Sequence, residues 1–222
     1  MRTGRRFVAL ICVFSILALV SGTVLAAPTV PGAVYGDQQA QGVNKPVVQI
    51  QQDLQQAGIK DVKPTDWAAG SITVIVQAGL LKPEADGNFH PEAKLKNDEG
   101  VAVFARVLGI ASKTDTPQQA MQKAKDAGIV SSSTTADKDM SRMDVARMLA
   151  KALGVTPAPV TAANYPFMDM YKVQSQEDLG ILKALYDLGI FKGYEDKTFR
   201  PDAILTKAQI AILIDRILGA TK

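Results

Sequence analysis

One phrase is written three times in this chain, and it decides what the chain can become. Its clearest copy is Leu205-Thr206-Lys207-Ala208-Gln209-Ile210. Thr206 and Gln209 have the spacing of a capping box, in which the hydroxyl accepts from the amide three residues on and the glutamine reaches back. Ile210, Leu213, Ile214, Ile217 and Leu218 then recur at helical spacing, and Gly219 supplies a stop. Ser141-Arg142-Met143-Asp144 opens a second copy, with Val145, Met148, Leu149, Ala152 and Leu153 on one face and Gly154 at the end. Lys96-Asn97-Asp98-Glu99 opens a third, followed by Val103, Phe104, Val107, Leu108 and Gly109. Glu99 is expected to cap that start. A helix start repeated in this way marks an array of units, none of which buries its own apolar faces.

Each copy follows another helix and a loop. In the first unit, Thr65 or Asp66 is placed to cap a helix running through Trp67, Ile72, Ile75 and Val76 to Gly79. The loop after it holds Asp86-Gly87, a strong turn signal, and Phe89 as an apolar plug before Pro91. Its acidic residues lack the ligand spacing and terminal glutamate of a calcium loop. In the second unit, Thr116-Pro117-Gln118-Gln119 gives an N-cap, a proline at the first helical position and a capping glutamine. In the third, Ser175 and Asp178 open a helix lined by Leu179, Leu182, Leu185 and Tyr186 and ended by Gly189. An offset of 110 residues carries Phe89 to Phe199, Pro91 to Pro201 and Gly109 to Gly219. The span from Gly79 to Lys96, and from Gly189 to Thr206, is 17 positions; from Gly128 to Ser141 it is 13, so the middle loop is four residues shorter. The fold class expected is all-α. Three helix–loop–helix repeats can contribute one helix each to a common bundle, with a groove between each neighbouring pair.

The start of the chain has a different character. Arg2, Arg5 and Arg6 precede an apolar run over 7–20, and Val24 and Ala26 occupy the small-residue positions of a cleavage site. This is a secretory signal pattern, cut after Ala26. The alternative is a retained anchor, since 7–27 is long enough to span a bilayer. The 25 basic and 22 acidic residues become 22 of each once the three signal arginines are removed. The mature chain is therefore near neutral, which argues against nucleic acid and, after signal cleavage, against a membrane as partner. The one cysteine, Cys12, leaves with the signal, so the core must hold without disulfides.

The organisation expected is a signal peptide over 1–26, a Pro/Gly/Gln-rich spacer over 27–45 and an accessory helix over 46–58. Repeats follow over 59–111, 112–155 and 165–222, with a stiff linker holding Pro157 and Pro159 over 156–164.

Phe167-Met168-Asp169-Met170, Gly189-Ile190-Phe191-Lys192-Gly193-Tyr194, Thr198-Phe199-Arg200-Pro201 and Leu205-Thr206-Lys207-Ala208-Gln209 together resemble the S-layer homology domain. The resemblance spans roughly 59–218; it is strongest in repeat three, good in repeat one and weak in repeat two outside its second helix. It implies a secreted protein whose three repeats form a pseudo-threefold bundle and anchor non-covalently to cell-wall polysaccharide, often a pyruvylated polymer. It also implies a key arginine at the start of each second helix. Here those positions read Asn97, Arg142 and Lys207. A pyruvate ketal carries a carboxylate, and a helix start with an arginine offers aligned amides and a bidentate fork. Lys207 keeps the charge without the fork, and Asn97 keeps neither. Trp67 and Tyr194 are expected to line grooves by packing on sugars, with Trp67 alternatively a core residue of the first helix. For Arg142 the plain structural alternative is a solvated first-turn cation, poorly placed for the helix dipole.

Two functions compete. The first is a wall-polysaccharide-binding envelope module. The second is a degenerate scaffold in the envelope, with a structural or protein-partner role and no sugar binding. Only a spacer precedes the repeats and nothing follows Lys222, so the module is either itself the envelope component or holds its cargo non-covalently. An enzyme is not expected. The mature chain has one histidine, His90, in a repeat loop, and no cysteine. It has no phosphate loop, no metal-ligand cluster and no cofactor motif.

Overall fold

A computed structural model describes residues 45–220 of the chain, without the side chain of Ala220. The expected signal peptide and nearly all of the spacer lie outside the described residues. Seven α-helices occur among the described residues: α1 Val47–Gln56, α2 Ala69–Gln77, α3 Asn97–Val107, α4 Pro117–Asp126, α5 Arg142–Ala152, α6 Gln176–Asp187 and α7 Lys207–Ala220. No strand occurs among the described residues. The class is all-α, and the repeats are α2–α3, α4–α5 and α6–α7.

Local chemistry sets most of the starts. Thr116 and Gln119 form the capping box of α4, and Ser141 and Asp144 that of α5. Thr206 Oγ1 accepts from the Gln209 amide at 3.4 Å and Gln209 Oε1 from the Thr206 amide at 3.3 Å at the start of α7. Three expectations fail. No side chain caps α3: Lys96 holds the cap position, and Glu99 offers only its amide, to its neighbour Asp98 Oδ1. Helix α2 begins at Ala69 rather than at Thr65 or Asp66, so Trp67 lies before it and is 62 % exposed. Gly109 and Gly154 end their helices at φ of 72° and 63°, but Gly219 lies inside α7. The same residue stops a helix only where the chain turns away after it.

The repeats close a ring. Each second helix packs on the first helix of the next repeat: α3 on α4, α5 on α6, and α7 back on α2. The three helix starts meet at antiparallel bridges, Lys94 with Thr206, Lys96 with Asp139, and Ser141 with Ile204. Between the bridged residues sit Leu95, Met140 and Leu205, at most 2 % exposed, one from each repeat. The first two amides of a helix have no partner within it. Here the next repeat's loop supplies one. The Asn97 and Asp98 amides donate to the carbonyls of Lys138 and Ala136. Those of Arg142 and Met143 donate to Ala203 and Pro201, and those of Lys207 and Ala208 to Ala93 and Pro91. The middle repeat keeps this joint despite its shortened loop.

Helix α1 rides outside this ring on α2. Ile50 and Leu54 are buried beneath it, and Lys45 Nζ joins Asp53 Oδ2 at 2.7 Å to Thr73 and Gln77 of α2.

Candidate groove site

The loops that receive the helix starts are built alike in repeats one and three. A carboxylate from the start of the repeat accepts two consecutive amides. Asp61 takes those of Phe89 and His90 at 2.7 Å each, and Asp169 those of Phe199 and Arg200 at 2.6 and 2.8 Å. This holds His90 and Arg200 at φ of 55° and 57°, where a side chain is disfavoured. Phe89 and Phe199 point into the core at 0 and 1 % exposure. The sequence marks Asp169 only as part of the Phe167-Met168-Asp169-Met170 opening and assigns no role to Asp61, which the 110-residue offset does not align with it.

Arg142 lies across the repeat-three loop. Its guanidinium is 4.7 Å from the Tyr194 ring, 4.9 Å from Phe199 and 5.3 Å from Phe191, and its Nε donates to the Phe199 carbonyl at 2.7 Å. It is 6 % exposed, so it is not a solvated first-turn cation. Burial disfavours its charged form, and the nearby Arg216 and Arg200 add to this, while Tyr194 and Asp169 oppose it. Among the described residues no carboxylate reaches ion-pair distance of it. An arginine stays protonated regardless. The site therefore carries an under-compensated positive charge on an aromatic floor. The aligned amides expected beside it are absent as donors. Those of Arg142 and Met143 serve the loop joint, and that of Asp144 serves Ser141 Oγ.

Tyr194 carries a second guanidinium, that of Arg200, at 4.2 Å, and its hydroxyl accepts from Gln209 Nε2. Arg200 is held by Asp196 at 2.8 Å. Asp196 also accepts from the Thr198 hydroxyl and amide. These bonds, the hydroxyl's first, hold its carboxyl down to about 2. A carboxylate so lowered keeps its contribution above the ordinary carboxylate range and loses it as pH falls through about 2. Carboxyl-carbon NMR should therefore place the Asp196 midpoint near 2, and Thr198→Val should return it towards the ordinary value. An ordinary midpoint in the unmodified chain would refute the bonding around Asp196.

The other two grooves differ. Lys207 reaches the repeat-one loop, 6.0 Å from the Phe89 ring, and pairs with Glu84 at 3.1 Å. His90 Nε2 lies 3.7 Å from the other oxygen of Glu84. Asn97 donates to the Thr135 carbonyl at the edge of a cavity of about 360 Å³, lined also by Ser131, Ser133, Thr134 and Arg147. So Arg142 and Tyr194 come together, Lys207 and Asn97 each define a separate groove, and Trp67 joins none of them. No ring contact or hydrogen bond of its side chain links it to these residues. No group of three metal-ligating side chains occurs among the described residues, and no described helix is long and apolar enough to cross a membrane.

Comparison with known proteins places two of the repeats. The S-layer homology domain matches residues 58–96 and 166–211. Over 97 residues the chain is 34 % identical to the middle cell wall protein of Brevibacillus brevis. That alignment covers 43 % of this chain and 9 % of the relative, so the chain spans under a tenth of that protein's length. The middle repeat falls outside both matched stretches of the domain, although it makes the same interrepeat bonds.

Proposed function

With residues 58–96 and 166–211 as S-layer homology domains, we propose that the chain is a secreted envelope protein that binds acidic cell-wall polysaccharide. It anchors itself or its partners to the wall, and it is not an enzyme. The observation that carries this reading is Arg142: a charge with no carboxylate at ion-pair distance among the described residues, held on Phe199 and Tyr194 in the joint between repeats two and three. A sugar-borne carboxylate such as a pyruvate ketal supplies the missing charge, and the ring of Tyr194 suits the apolar face of a pyranose. The domain match and the cell-wall relative support the setting.

The test is co-sedimentation with purified sacculi, before and after acid removal of the secondary polysaccharide. Binding is expected to vanish with the polymer. Arg142→Met, which keeps an unbranched apolar stem, should weaken it about tenfold or more, the scale of a lost charge-assisted contact. Tyr194→Leu should weaken it less. Folding of each variant is checked by circular dichroism. Undiminished binding by a folded Arg142→Met chain would refute this assignment. A second reading, an envelope scaffold that binds protein and no sugar, is favoured by Lys207 and Asn97, which both spend their side chains on neighbouring loops. Binding to washed envelope protein but not to polymer would select it.

A further inference from the structure

The 110-residue offset that carries Phe89 to Phe199 also carries Glu84 to Tyr194, His90 to Arg200 and Asp86 to Asp196. The backbone confirms the register. The Glu84 amide donates to the Asn88 carbonyl at 2.8 Å, as that of Tyr194 donates to Thr198 at 2.9 Å. Gly87 then returns to Glu84, as Lys197 returns to Tyr194. Glu84 and Tyr194 therefore occupy one place in two equivalent grooves. In the repeat-three groove that place lays a ring beside Arg142. In the repeat-one groove it lays a carboxylate on Lys207, whose side chain is only 14 % exposed above the Phe89 ring.

We propose that Glu84 is a built-in occupant of the Lys207 groove: its carboxylate takes the place of an external anion there, a place that no carboxylate among the described residues takes at Arg142. The inference rests on the anion reading of that groove for its ligand class, a carboxylate borne on a sugar. Three features suit Glu84 to the role. It is 56 % exposed at the side chain, so it sits at the mouth and not in the core. It is tethered within the same loop as Phe89, so it meets Lys207 at an effective concentration that a dilute ligand does not reach. His90 Nε2 faces its second oxygen at 3.7 Å, with Asp86 on the same nitrogen at 3.8 Å. An exposed ion pair of this kind is weak, so Glu84 sets which groove binds without deciding whether the chain folds.

The experiment uses the full chain, 15N-labelled, with a methyl glycoside bearing a pyruvate ketal as probe and the same glycoside without the ketal as control. All comparisons of the repeat-one groove are made in an Arg142→Met background, so that the other groove does not contribute. Adding Glu84→Gln should produce saturable, ketal-dependent shifts at the amides of Lys207 and Phe89, with affinity there raised about fivefold or more. Glu84→Tyr, which rebuilds the repeat-three arrangement, should raise it further, and Lys207→Met should abolish the gain. Absence of any gain in both folded Glu84 variants overturns the inference. The unmodified chain reads the other assignment separately. Ketal-dependent shifts at Arg142 and Tyr194 support the proposed function, and their absence refutes it, whichever way the Glu84 variants behave.

Discussion

A fragment ending at 155, lacking the linker and repeat three, is expected not to fold. The ring explains why. Helix α2 is buried on nearly every side, through Ala69, Gly70, Ser71, Ile72, Thr73 and Ile75, and α7 provides much of that cover. Ser71 Oγ also donates to Asp215 Oδ2 of α7 at 2.7 Å. Without α7 the carbonyls of Pro91 and Ala93 lose their donors, and Arg142 loses both the Phe199 carbonyl and its aromatic floor. Helix α5 loses its α6 partner as well. Isolated helices of nine to eleven residues, such as α2, α3 and α5, are marginal in water, so little secondary structure should survive. Circular dichroism of the fragment should show a mostly unstructured chain with no cooperative melt, and amide exchange should be unprotected. A fragment that melts cooperatively near the temperature of the whole chain would refute the ring as the folding unit.

Phe199→Ala should be the most costly single core change. The side chain is 1 % exposed, with ring centroids 5.3 Å from Phe167 and 5.2 Å from Phe191 and the Arg142 guanidinium against it. Truncating a buried phenylalanine costs about 3–5 kcal/mol, through lost burial and the cavity left behind. For a folded region of this size the melting temperature should fall on the order of 10 °C. Calorimetry checks the value. A fall of under about 2 °C would show that the loop collapses onto the gap and that Phe199 is not the plug described. Phe89→Ala should be costly for the same reason, while Trp67→Ala, at a 62 % exposed position, should leave the melt unchanged within error.

The starts of α4, α5 and α7 were legible because capping is local. Thr116 with Gln119, and Ser141 with Asp144, lie three residues apart and act on amides of the same turn. The apolar faces were legible because a helix repeats every 3.6 residues. Trp67 misled because a large apolar side chain near a helix start has two outcomes, and here α2 begins only at Ala69, which leaves Trp67 before it and exposed. Gly219 misled because its context, not its type, decides whether a helix ends there. The repeat-one groove was half legible: the offset that aligned the two phenylalanines already aligned Glu84 with Tyr194. That Glu84 meets Lys207, 123 residues away, needed the ring to close.

By itself, then, the sequence determined the elements: seven helical segments, several of their starts, and a 110-residue offset that relates the first and third of three units. Those properties rest on interactions within a turn or two of chain. The tertiary structure decided what each unit packs on and what its key side chain does. A second helix leaves its own repeat and docks on the next, because its first two amides find carbonyls only there. That joint turns three equivalent positions into three different sites. Arg142 sits on rings with no carboxylate at ion-pair distance among the described residues, Lys207 is paired with Glu84, and Asn97 is tied to Thr135. The facing loop, distant in sequence, supplies the difference.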